Sequence, residues 1–255
     1  MKQLVILSIL VFSSRSLTFA QMEVQLLGGV NSFHLNFPGF QTYLDSYNAL
    51  NSGSSMIKPA KFNHFGVGYH VAGMFRLKWF VTGISMGQIT GFPSTASFEY
   101  DQSRSFRFKN TYFDLQIGGR IGGEKFAFIP FVSMSVNTLN LNAYFMYGDV
   151  KSYGGEKDLN GMYTSWRLIG LLGGRLEYRF NDFLGAFAEF NFTLNKSEYL
   201  GGDFSESNSA TDSKYFQATA DQDQISAINN GLKEVYRISR GVFGLQLTIG
   251  VNEKE

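Results

Sequence analysis

Between Tyr163 and Phe180 the chain alternates apolar and polar side chains for eighteen residues. One face carries Trp166, Leu168, Leu172, Leu176, Tyr178 and Phe180. The other carries Ser165, Arg167, Arg175, Glu177 and Arg179. Period two belongs to the β-strand, whose successive side chains point to opposite faces. Soluble strands usually run about 5–6 residues, so this one is far too long for an ordinary sheet. A long strand that is apolar on one side and charged on the other fits the wall of a barrel with lipid outside and a polar lumen inside.

The pattern recurs. Phe183 to Lys196 places Leu184, Ala186, Ala188, Phe190, Phe192 and Leu194 on one face, and Glu189, Asn191, Thr193 and Asn195 on the other. Asn181-Asp182 separates it from the first run as a tight hairpin turn. Phe62 to Leu77, Thr111 to Gly122 and Ser239 to Val251 alternate in the same way, and Glu23 to Val30 and Trp79 to Thr90 do so more weakly. Phe126 to Phe145 changes phase: Val132, Met134 and Val136 share one parity, Leu139, Leu141 and Phe145 the other. One extra residue near Val136 to Thr138, a β-bulge, would produce that flip.

Eight strands result. Their connections alternate between short turns, at Lys78, Gly122 to Lys125 and Asn181-Asp182, and long loops, at Asn36 to Lys61, Gly91 to Ser103, Tyr147 to Gly161 and Leu200 to Lys233. Short periplasmic turns and long extracellular loops are the plan of an up-and-down outer-membrane barrel. Aromatics gather at both ends of the strands, as two interfacial girdles would require. A soluble, ligand-enclosing barrel would need polar outer faces, and the polar faces are too few to serve both sides.

Composition agrees. The 255 residues include no Cys, 28 Gly and 26 Phe, with 17% charged residues and a net charge of +1. This excludes a nucleic-acid-binding protein, which carries a basic excess, and a disordered chain. It also excludes a disulfide scaffold or a Cys-based zinc site. Lys2, the apolar Leu4 to Phe12 and Thr18-Phe19-Ala20 read as a secretory signal peptide over 1–20, which leaves 21–255 as the barrel domain. Its removal takes away Lys2 and Arg15 and turns +1 into −1. No run of about 18 apolar residues follows.

At this point the chain resembles the small outer-membrane β-barrels of Bacteroidota, the PorT-like barrel family. The likeness lies in Leu27-Gly28-Gly29-Val30-Asn31, Leu115-Gln116-Ile117-Gly118-Gly119-Arg120, Leu172-Gly173-Gly174-Arg175-Leu176-Glu177-Tyr178 and Gly244-Leu245-Gln246-Leu247-Thr248-Ile249-Gly250-Val251. The chain departs from many outer-membrane proteins in that Asn252 to Glu255 follow the final strand, with no terminal aromatic. The resemblance implies an outer-membrane location and, more weakly, a role in secretion.

Taken inward, the polar parity fills the lumen with Glu23, His64, His70, Arg76, Asp114, Arg120, Arg167, Arg175, Glu177, Arg179, Glu189 and Arg240, six Arg against four carboxylates. Eight strands enclose room for side chains only, and buried charges must pair. The expected network comprises Arg76, Asp114, Arg120, Arg167, Arg175, Glu177, Arg179, Glu189 and Arg240, with Arg120, Arg175 and Glu189 at its centre. It plugs the barrel; a narrow solute or ion path is the alternative. At the loop-side rim, His34 and His64 with Ser32 or Asp45 would have the residue types of a lipid-modifying site, or of a two-His metal site. Nothing in the spacing enforces either site, and rim histidines at a wet interface are the favoured reading. Asn195-Lys196-Ser197 matches the N-glycosylation pattern, which has no bearing on a bacterial outer-membrane protein.

Two loops have helical spacing. Phe40, Tyr43, Leu44, Tyr47 and Leu50 lie on one face of Pro38 to Leu50, and Ile225, Ile228, Leu232 and Val235 on one face of Asp221 to Tyr236. Both read as amphipathic helices over the loop-side mouth. The expectation is a non-enzymatic barrel with a structural or surface-interaction role and neither cofactor nor metal. It meets outer-membrane lipid, and through its loops other envelope proteins or surface ligands. An accessory role in secretion is a further alternative.

Overall fold

A computed structural model describes residues 22–53, 55–152, 161–194, 205–206 and 236–251. Eight long strands form the wall: β1 (Met22–Asn36), β2 (Phe65–Leu77), β3 (Phe80–Gly91), β4 (Gln102–Gly119), β5 (Phe126–Tyr147), β6 (Gly161–Arg179), β7 (Leu184–Thr193) and β8 (Arg237–Val251). Each pairs antiparallel with its neighbours in sequence, and β1 pairs with β8 from Met22↔Val251 to Asn36↔Arg237. The ring is closed: each wall strand pairs on both flanks, β6 with β7 from Leu171 to Arg179, as a sheet that spans lipid requires.

The burial pattern is inverted relative to a soluble protein. Phe243 is 72% exposed, whereas Gln246, three residues on, is fully buried. Val24, Leu26, Leu115, Val132, Leu247 and Ile249 are likewise outward and exposed. A continuous apolar belt around a closed wall with a polar interior is stable only in a bilayer. The chain is an outer-membrane β-barrel.

The turns are those the sequence suggests. Lys78, at φ 53°, closes β2 onto β3. Asn181 Oδ1 accepts from the backbone N–H groups of Phe183 and Leu184, an Asx-type turn between β6 and β7. The long loops contain more strand than expected. Met56–Lys58 pairs with Ser94–Phe98, which pairs with the start of β4, and Val150–Ser152 pairs with the end of β5. The sheet therefore continues beyond the belt on the loop side.

The β-bulge expected near Val136 to Thr138 is absent. β5 runs in unbroken register against both β4 and β6, from Ala127 to Ala143 every odd-numbered residue is buried, and Val136 and Thr138 both face outward. What changes is the lumen. Ser133, Ser135 and Asn137 line its middle; Leu139, Leu141 and Ala143 line its loop-side end. The apolar residues changed parity because the interior changed from polar to apolar.

That apolar end is filled by α1 (Pro38–Asn51), which starts on Pro38 at its first turn, where the missing N–H costs nothing. Its face of Phe40, Tyr43, Leu44 and Tyr47 is buried against Phe33, Leu35, Phe62, Phe106, Phe108, Leu139 and Leu141. The expected signal peptide, the expected second loop helix up to Val235, the loop from Leu200 apart from 205–206, and residues 252–255 lie outside the described residues.

Candidate functional site

The lumen is occupied in three tiers. Nearest the short turns, Glu23 of β1 accepts ion pairs from Arg76 of β2 and Arg179 of β6. Glu23 and Arg76 are register partners on adjacent strands; Arg179 comes from farther round the wall.

The middle tier is one connected network. The β6–β7 hairpin sets Arg175 opposite Glu189, and Arg175 Nε donates to Glu189 Oε2 at 3.0 Å. Arg175 Nη2 donates to Gln116 Oε1 at 2.8 Å, and Gln116 Nε2 donates to Glu189 Oε1 at 3.2 Å, closing a triangle. Glu177 lies 3.6 Å from Arg175 Nη1. Asn191 links Glu189 to Arg240, which reaches Asp114 Oδ2 at 2.8 Å. Ser85 and Ser135 also donate to Asp114, and Asn137 and Asn110 extend the chain along the wall. Above Arg240 lies the Tyr112 ring, 3.8 Å from the guanidinium carbon. The Tyr112 hydroxyl accepts from Asn31 Nδ2 at 2.7 Å and lies 2.8 Å from His70 Nδ1.

The third tier is aromatic. Phe40 packs edge-on against Phe108, Phe62 and Phe106 with centroids 4.8–5.7 Å apart. Arg104 lies 5.0–5.2 Å from the rings of Tyr47, Phe106 and Phe145, within cation–π range. Burial pushes the Tyr43 hydroxyl up to about 12, only partly offset by Arg104.

Among the expected network residues, Asp114, Arg175, Glu177, Glu189 and Arg240 meet in the middle tier, and Arg76 and Arg179 meet on Glu23. Arg120 does not join Arg175 and Glu189. It follows the end of β4, and its guanidinium donates to the Gly123 carbonyl in the turn. Arg167 sits higher, 4.9 Å from the Tyr236 ring. Gln116, Tyr112, Asn191, Ser135 and Arg104 line the lumen as well and lie outside the expected network. All five have inward parity, the signal that could have found them.

The rim residues do not form a relay. His34 and His64 stack with ring centroids 5.4 Å apart, and His64 Nδ1 lies 2.9 Å from the Leu35 carbonyl. Ser32 donates to the Gly241 carbonyl and Asp45 accepts from Gln41. Among the described residues no hydrogen bond joins these groups, and no three His, Cys, Asp or Glu side chains gather as metal ligands would.

No protein-family model matches this chain, and no curated protein does. Several solved barrels are similar in form. The attachment invasion locus protein Ail of Yersinia pestis, in complex with the heparin analogue sucrose octasulfate, is 7% identical with a TM-score of 0.44, over 90% of this chain and 99% of that one. The outer-membrane protein OprG from Pseudomonas aeruginosa is 12% identical with a TM-score of 0.38, over 90% and 97%. The outer-membrane protease OmpT from Escherichia coli is 11% identical with a TM-score of 0.36, over 93% and 99%. At these values no ligand, substrate or partner carries over.

Proposed function

We propose that this barrel is a closed, non-enzymatic element of the outer membrane that presents its loop-side surface to partners in the envelope or outside the cell. The observation that carries this reading is the lumen: ionic and amide contacts cross its lower and middle tiers, and α1 packs aromatic side chains into its upper tier. An eight-stranded wall leaves space for these side chains and little else. A conducting path would have to break the Arg175–Glu189 pair and expel α1 together.

The surface part of the reading rests on the sheet beyond the belt. Tyr100, 87% exposed, stands at the tip of the hairpin joining Ser94–Phe98 to β4. Tyr100 and Asp101 both take positive φ, 58° and 55°, a geometry that favours Asn or Gly in a two-residue hairpin turn. A bulky aromatic held there against its backbone preference is better explained by contact with a partner than by folding. Ile57 and Val150 are exposed on the same extension. Kinship with the PorT-like barrels of Bacteroidota belongs to this reading and rests on the strand motifs alone.

Planar-bilayer recording on the purified full chain tests the closed lumen. The expected result is no stepwise conductance, with steps appearing only when Arg175→Ala is combined with Phe40→Ala. Steady conductance from the unaltered chain would overturn the reading.

A further inference from the structure

The outward face of β4 runs Ile117, Leu115, Phe113, Thr111, Lys109, Arg107, so it passes from apolar to cationic within a few residues. β5 makes the same passage, from Val132, Met134 and Val136 to Thr138, Asn140 and Asn142. The register sets Phe113 opposite Val136, Lys109 opposite Asn140 and Arg107 opposite Asn142. On its other side Lys109 faces Thr90 of β3. The two strands thus leave the apolar belt together and enter a strip of cations and amides. This strip lies on the loop side, directly beyond the end of the apolar belt.

Arg107 and Lys109 are half-buried, and neither has a hydrogen-bonding or carboxylate partner among the described residues. Arg107 Nε is fully covered and unpaired. Residues two apart on a strand are roughly 7 Å apart, so both cations can reach one phosphate group or two on the same sugar. Higher on the same outward face, Lys151 Nζ lies 4.0 Å from the Tyr144 ring centroid, which adds a third positive charge. Basic residues at a membrane surface attract anionic headgroups, and long cationic side chains reach from the edge of an apolar face into the polar layer.

We propose that Arg107 and Lys109, flanked by Asn140 and Asn142, bind the phosphate-bearing headgroup of an outer-leaflet lipid. The lipid's acyl chains lie along Phe113, Leu115, Met134 and Val136. The continuity of cations with belt selects the occupant. A soluble anion would not use the apolar half of the site, and a water-soluble protein partner would have to enter the hydrocarbon. The proposal depends on the barrel's place in the membrane and is independent of whether its lumen is closed.

The test extracts the full chain, in mild detergent, from phosphatidylcholine vesicles containing lipid A and counts retained lipid by native mass spectrometry. The unaltered chain is expected to retain lipid A, also in the presence of inorganic phosphate, and not to retain dephosphorylated lipid A. The R107Q/K109Q variant is expected to retain several-fold less, and R107K/K109R, which keeps both charges, to retain the normal amount. A cold SDS gel confirms that each variant is folded; both side chains face outward, so the lumen is untouched. Equal retention by R107Q/K109Q, or equal retention of the dephosphorylated lipid, would overturn the proposal. Displacement by inorganic phosphate would make the site one for free anions and would overturn it too.

Discussion

Arg240 and Asp114 are 126 residues apart in sequence and meet inside the barrel, with Arg240 Nη2 2.8 Å from Asp114 Oδ2. Both side chains are about 1% exposed. Asp114 belongs to β4 and Arg240 to β8, which are not neighbours in the wall, so the pair fixes the lumen across its width. Removing one partner of a buried pair leaves an uncompensated charge and costs about 3–5 kcal/mol, whereas replacing both with apolar residues is often neutral. Asp114→Asn should lower the temperature at which the folded band disappears on SDS gels. D114L/R240M should recover most of that loss.

The upper plug should be separable from the wall. Phe40 is fully buried, and truncating a core Phe costs about 3–5 kcal/mol. Phe40→Ala should release α1, making it accessible to added protease, while the barrel keeps its resistance to SDS.

Glycine tolerance should differ sharply between Gly87 and Gly28. A Cβ at Gly87 would meet the Tyr69 carbonyl at 2.4 Å and the Tyr112 hydroxyl at 2.5 Å, whereas at Gly28 it would meet nothing within 4 Å. Gly87→Ala should displace Tyr112 from Asn31 and His70 and cost about 1–3 kcal/mol, the range for overpacking. Gly28→Ala should be close to neutral in the same gel assay.

The α1 plug should loosen in strong alkali. Burial raises the Tyr43 hydroxyl from 10.0 to about 12. Folding therefore holds a proton that the released helix gives up. The resulting stability is complete below pH 10 and is lost as pH rises through about 12. Protease sensitivity of α1 should increase over that window, and Tyr43→Phe should abolish the increase.

At the hairpin tip, Tyr100→Gly should slow amide exchange in Ser94–Phe98 by relieving the positive φ, a gain of about 1 kcal/mol. Binding of any partner through this surface should weaken in the same variant. Weakened exchange protection would contradict the strain argument.

The wall was legible because period-two alternation reports directly which side chains meet lipid. The Arg175–Glu189 pair was legible because a turn at Asn181-Asp182 makes the two residues register partners. Two features were not. Leu139 and Leu141 looked like a phase flip because alternation reports polarity, and the interior changes polarity along its height without any change of strand register. Arg120 has inward parity, yet it follows the end of β4, where the Gly123 carbonyl is nearer than the lumen's centre. Parity gives a side chain's face but not its height, and height decides which tier it joins.

β1 pairs with β8 along fifteen register pairs, and this seam has an outcome for biogenesis. The first wall strand to be synthesised stays without one of its two neighbours until the last has been made. No shorter sub-assembly of consecutive strands can satisfy both flanks, so a nascent chain presents hydrogen-bonding borders at each end until the ring shuts. Closure is consequently a single late event, and a protein stopped short of β8 enters the envelope as a sheet with two adhesive borders instead of a smaller cylinder.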